Sequence, residues 1–179
     1  IRAAAPRPRS RKTSHVLPRR ERVQFSGSQG DPIAGRLDRP AEEPLAYAIL
    51  AHCFTCTKDL KAFTWITREL VDRRIGVLRF DFTGLGESGG DFADTNFTSN
   101  LADLVRAAEF LRERHGPPAM LVGHSLGGTA VLAAAGQVPD ARVVATIAAP
   151  SGTAHIKEFV TRQVGDLPPD RAAQIDVMG

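Results

Sequence analysis

Apolar and polar positions change period several times along this chain of 179 residues, and each change predicts an element. Arg22-Val23-Gln24-Phe25 alternates, Ser26 to Pro32 is rich in turn formers, and Ile33-Ala34-Gly35-Arg36-Leu37 alternates again. That is the pattern of a β-hairpin over residues 22–38. After a linker, residues 38–44, comes the unbroken apolar run Leu45 to Ala51. A strand without alternation is one covered on both faces. Lys58 to Arg74 then takes up a helical period, with Leu60, Phe63, Ile66 and Leu70 on one side. Ile75 to Phe82 reads as a second buried strand. Asn100 is expected to cap a helix with Leu101, Leu104, Val105, Ala108 and Leu111 on its apolar face, stopped by Gly116-Pro117-Pro118. Another strand ends at Val122, a helix runs to about Val138, and Val143 to Ala148 predicts a fourth buried strand. Beyond Pro150 the pattern weakens to a helical stretch, Ala154 to Val164, and a polar end broken by Pro168-Pro169. Alternating strands and helices, with strands covered twice, predict an α/β fold: a parallel sheet with helices on both faces, preceded by a β-hairpin.

In such sheets ligands bind beyond the carboxyl ends of the strands. Three segments converge there: His52 to Cys56, Asp81 to Ser88, and Leu121-Val122-Gly123-His124-Ser125-Leu126-Gly127-Gly128. The third carries G-x-S-x-G in Gly123, Ser125 and Gly127, between a buried strand and a helix apolar on nearly every side. A serine lifted clear of a sheet in this way sits on a strained turn, crowded enough to favour glycine two residues to either side. The helix that follows aims free N–H groups and its positive dipole end at the hydroxyl, an arrangement suited to an oxyanion. The same letters also fit a tight turn that merely contains serine. The strand before and the apolar helix after favour Ser125 as a nucleophile.

Charge alters the picture at one end only. Residues 1–20 hold seven Lys/Arg and no acid, so taking these from the net +3 leaves the rest at −4. Rich in Arg, Pro, Ala and Ser, residues 1–21 read as a disordered basic tail, and 22–179 as one domain. The tail lacks the amphipathic pattern of a targeting segment, and its initial Ile is read as a ragged start. No basic face interleaved with aromatics suggests a nucleic-acid partner. No apolar run approaches a membrane span. Two cysteines make no disulfide framework, which favours a reducing, cytoplasmic setting. No pair of histidines has metal-ligand spacing, so no metal site is expected.

These three segments together resemble the α/β-hydrolase superfamily. More narrowly, Ala51 through Asn96 is similar to the hydrolase half of bacterial proteins that fuse an α/β-hydrolase to an OsmC-type domain. The resemblance covers about residues 22–160 and implies Ser125 as nucleophile and the Leu126 N–H as one oxyanion donor. The second donor would come from the loop after His52, from Phe54 first and Cys53 second, because Cys53 stands where the family often has glycine. It also implies an order of serine, acid, histidine for the triad. Asp140 follows Ser125 but lies between the elbow helix and the next strand, at the opposite sheet edge; Asp166, Asp170 and Asp176 read as surface charge, and His155 as a weak candidate base. The acid, base and last strands are therefore expected outside this sequence, which would make the domain C-terminally incomplete and inactive alone.

The remaining polar residues have structural readings. His124 is expected to pack beside the serine, His52 to orient the oxyanion loop through a hydrogen bond, Asp81 to tie its glycine-rich loop, and His115 to sit as a favoured cation at a helix C-terminus. The leading expectation is a serine hydrolase that cleaves a small ester, thioester or amide through an acyl-enzyme. A rival comes from Cys53-Phe54-Thr55-Cys56, a C-x-x-C between strand and helix that also fits thiol-disulfide chemistry. A non-catalytic binding module is the third reading.

Overall fold

The computed structural model describes residues 18–53 and 56–150. Six strands and three helices alternate in it: β1 (Arg19–Ser26), β2 (Pro32–Arg39), β3 (Ala46–Ala51), α1 (Lys61–Asp72), β4 (Ile75–Phe80), α2 (Phe97–Arg114), β5 (Pro118–His124), α3 (Leu126–Ala134) and β6 (Val143–Ile147). They form one sheet in the order β1-β2-β4-β3-β5-β6. β4, β3, β5 and β6 run parallel, while the β1–β2 hairpin joins antiparallel through β2 and β4. The hairpin thus extends the parallel sheet rather than standing apart from it.

β3 explains why its sequence lacks alternation. Tyr47, Ile49 and Ala51 pack with Leu104 and Leu111 of α2 and Val131 and Ala134 of α3. Ala48 and Leu50 face the other way, against Phe63 and Val71 of α1. Both faces of the strand are dry, so both sets of side chains are apolar. The helices lie on both faces, as the pattern of the chain predicts.

Four local expectations need correction. β1 starts at Arg19, not at Arg22, because its charged start is held by ion pairs from Arg20 to Asp38 (2.9 Å) and from Glu21 to Arg39 (3.3 Å). α2 is capped by Asn96, not Asn100: the Asn96 side chain accepts the Ser99 N–H and Ser99 Oγ accepts the Asn96 N–H, both at 2.9 Å. This reciprocal box satisfies two of the helix's free donors, and Asn100 lies buried inside the first turn. β6 is not a buried strand among the described residues, with Val143 46% and Ile147 40% exposed. Among those residues only β5 pairs with it, so its outer side has no cover. The helical stretch from Ala154 to Val164 lies outside the described residues.

The fourth correction concerns His115, which follows the last residue of α2. Its ring packs on Tyr47 and Phe110. Burial lowers its pKa below the ordinary 6.5, and the neighbouring Arg39 and Arg114 push the same way against Glu21. Desolvation thus favours the neutral ring, against the cation expected at a helix C-terminus. A group with a lowered folded pKa contributes stability above its unfolded pKa and loses it as pH falls from there toward the folded value. The urea midpoint should therefore drop as pH falls from about 7.5 to about 5.5, and drop less steeply in His115→Gln. Equal slopes in the two proteins would contradict this account.

Candidate active site

Ser125 follows the last residue of β5 and precedes α3, with φ 54° and ψ −121°. A non-glycine residue held in this left-handed region costs on the order of 1–3 kcal/mol and needs its surroundings to enforce it. They do. The Ser125 N–H donates to the Ile147 carbonyl at 2.9 Å, and the Ser125 carbonyl accepts the N–H groups of Gly128 (2.8 Å) and Thr129 (3.3 Å). The N–H groups of Leu126 and Gly127, the first of α3, are left without an acceptor among the described residues. A Cβ on Gly123 would strike the backbone of Gly127 and Gly128, and one on Gly127 would strike the carbonyls of Ala51 and His52. The helix therefore starts hard against the end of β3.

That end is organised by His52, which is buried. Its Nδ1 lies 2.6 Å from the Cys53 carbonyl and its Nε2 lies 3.5 Å from Asp81 Oδ1. Burial lowers the pKa of His52, with the Lys58 charge acting the same way and the Cys53 carbonyl and Asp81 opposing, which favours the neutral ring. A neutral imidazole has one N–H. The 2.6 Å contact assigns it to Nδ1, which donates to the Cys53 carbonyl. The same carbonyl accepts the Cys56 N–H at 3.1 Å, so this ring fixes one corner of the loop. Phe54 lies outside the described residues, and Cys53 is buried.

Asp81, fully buried, binds the segments after β3 and β4 to each other. Its Oδ1 accepts the Lys58 N–H at 2.6 Å, and its Oδ2 accepts Lys58 Nζ at 2.6 Å and the Glu87 N–H at 3.0 Å. Its carbonyl accepts Ser88 Oγ at 2.6 Å. Gly86, at φ 55°, lies so close that a Cβ would strike the carboxylate. Burial disfavours the Lys58 charge, but its bonds to Asp81 and Glu87 outweigh that and raise its pKa above 10.5. The tie that the sequence predicts for Asp81 is present, and it reaches further than its own loop.

Three features escape sequence reading. Lys58 looks like the first polar residue of an amphipathic helix, yet α1 begins later and Lys58 is buried. Asp103 sits on α2, where its Oδ2 accepts both the N–H (3.0 Å) and the hydroxyl (2.8 Å) of Thr83, and its Oδ1 accepts the Ser28 N–H at 2.8 Å. An acid inside an apolar helical face is the only signal for it. Finally, Cys53 and Cys56, the pair named by the thiol-disulfide reading, are joined as a disulfide, and their grouping with a histidine is what the sequence does not show. Ligand atoms of Cys53, Cys56 and His124 lie within 4.8 Å of one another, a grouping that histidine spacing does not reveal.

Asp140 is where the sequence places it, away from the serine, paired with Arg112 at 2.6 Å. His155, Asp166, Asp170 and Asp176 lie outside the described residues. Among those described, no histidine or carboxylate makes a hydrogen bond to Ser125 Oγ.

With this geometry in hand, comparison with known proteins identifies the family. Residues 48–177 match the Alpha/beta hydrolase family, and the chain belongs to it. It is 49% identical to the esterase domain of a Rhodothermus marinus protein, covering 78% of this chain and 54% of that one, with a TM-score of 0.65. An α/β serine hydrolase without a lid from Xanthomonas campestris is 27% identical over 74% of this chain and 62% of that one, also with a TM-score of 0.65. The mitochondrial palmitoyl-protein thioesterase ABHD10 of Rattus norvegicus is 32% identical over 102 residues, which is 57% of this chain and 32% of the relative. The chain thus spans between about a third and three fifths of the length of these relatives. No described helix is long and apolar enough to cross a membrane.

The tie at Asp81 yields a prediction. Asp81→Asn leaves the buried Lys58 ammonium without its principal counter-charge, which should cost about 3 kcal/mol or more. Urea unfolding measures it. A loss under about 1 kcal/mol, the size of an exposed ion pair, would mean that the network does not hold these loops.

Proposed function

We propose that the protein is a serine hydrolase that cleaves a small ester, thioester or amide through an acyl-enzyme on Ser125. The observation that carries this reading is the left-handed backbone of Ser125 at the head of α3, beside the Leu126 N–H, which has no acceptor among the described residues. In the proposed reaction Ser125 Oγ bonds to the acyl carbon and gives its proton to a base. The carbonyl oxygen takes negative charge opposite the Leu126 N–H and a second amide, from Phe54 or Cys53. Collapse expels the alcohol, thiol or amine with a proton, and water then releases the acid and restores the serine. Gly123 and Gly127 give the turn its room, His124 flanks it, and His52 and Asp81 hold the oxyanion loop.

The base and acid are proposed to lie outside the described residues. The likeness to an esterase domain and to a palmitoyl-protein thioesterase supports acyl esters and thioesters as substrates. Resemblance to OsmC fusions makes an OsmC-type domain the proposed companion in the whole protein, in a cytoplasmic setting and with no cofactor.

A second reading, thiol-disulfide exchange at Cys53 and Cys56, is favoured by their bonded state. It leaves the turn at Ser125 without a purpose, and we rank it below hydrolysis. Steady-state kinetics on nitrophenyl esters and acyl thioesters, using the whole natural protein, separate the two. Ser125→Ala should lower kcat by at least about a thousandfold, in keeping with loss of a nucleophile, whereas Cys56→Ser should leave most of it. Activity that survives in Ser125→Ala would overturn the hydrolase reading.

A further inference from the structure

β3 and β5 are parallel neighbours with Ala51 beside Gly123, so the residues that follow β3 and the last residue of β5 emerge at one edge. Cys53, Cys56 and His124 meet there, one ligand atom from each within 4.8 Å of the others. The turn from the Cys56 N–H to the Cys53 carbonyl (3.1 Å) holds the two cysteine Cα atoms 5.3 Å apart. His124 Nδ1 is buried and has no hydrogen-bond partner among the described residues. A buried polar atom left so is unfavourable, and a ligand bound to it would supply the missing partner. Two cysteines at C-x-x-C spacing with an imidazole are the donors that zinc takes in tetrahedral sites. With Zn–S near 2.3 Å and Zn–N near 2.0 Å, tetrahedral ligand atoms stand about 3.5–4 Å apart. Reaching that spacing requires the two sulfurs, bonded to each other here, to move apart once they are reduced.

We propose that the reduced protein binds a zinc-class divalent ion through the thiolates of Cys53 and Cys56 and a ring nitrogen of His124. These three donors leave the fourth tetrahedral position to water. The disulfide and the metal-bound form exclude one another, since sulfurs bonded to each other are not thiolates. A dithiol reductant links the two states. It delivers two electrons and two protons to the S–S bond and itself becomes a disulfide; the metal then displaces both thiol protons to solvent. The site is therefore a metal site opened and closed by redox state, at the rim beside Ser125. It does not depend on Ser125 being a nucleophile, so the two proposals fail separately.

The test is titration of the whole protein with cobalt(II), then zinc in competition with a chromophoric chelator, before and after reduction. A phosphine serves as reductant, because it becomes its oxide while water supplies the oxygen and the two thiol protons. The reduced protein should take up one ion per chain with thiolate-to-cobalt charge-transfer absorption, and the oxidised protein none. Cys56→Ser and His124→Gln should each weaken binding by more than about tenfold, the loss that even an outer-shell partner can cause. X-ray absorption on the zinc-loaded natural sequence should show two sulfurs and one imidazole, a readout that does not require either variant to fold. Equal uptake by oxidised and reduced protein, or a zinc shell without imidazole, would overturn the proposal.

Discussion

The backbone at Ser125 has to reverse from strand to helix within one residue, and only a left-handed conformation does so here. A side chain pays a steric penalty in that region, and the fold supplies compensation on three sides. β6 receives the Ser125 N–H through Ile147, α3 returns two N–H groups to the Ser125 carbonyl, and the absent Cβ atoms of Gly123 and Gly127 let the turn close on itself and on β3. Remove any one and the geometry has reason to relax. The same compactness leaves the first N–H groups of α3 at the end of β3, beside the segment from which a second amide donor is proposed.

Asp81 performs the complementary task for the rest of the rim. One buried carboxylate takes two backbone N–H groups and an ammonium, and these partners come from different loops. Burying such a charge is costly unless it is fully paired, so the loops are held in the one arrangement that pairs it. Asp103 repeats the device between Thr83 and the hairpin turn at Ser28. Strands place the loops at the edge, and buried acids then fix their course.

Much of this was legible in sequence because it rests on period. β3 and β4 read as doubly covered strands since each of their faces meets a different helix, and the letters around Ser125 announce a strand ending in a crowded turn. One miss is local: Asn96 caps α2 through a box with Ser99, three residues on, where the apolar face suggests Asn100. The others depend on contacts between distant residues. Val143 to Ile147 is apolar enough to be central, yet among the described residues it ends the sheet. The roles of Lys58 and Asp103, and the approach of His124 to the cysteine pair, come from strand order. No local pattern encodes that order.

Hydrolysis at this turn requires that the Ser125 hydroxyl be presented to form a covalent bond with an acyl-like electrophile. A fluorophosphonate reports this directly, since it bonds to an activated serine and adds a fixed mass to one peptide. Applied to the whole natural protein, it should give a single adduct that fragmentation places on Ser125 and that Ser125→Ala abolishes. An adduct on another residue, or equal labelling with and without the Ser125 hydroxyl, would contradict the account.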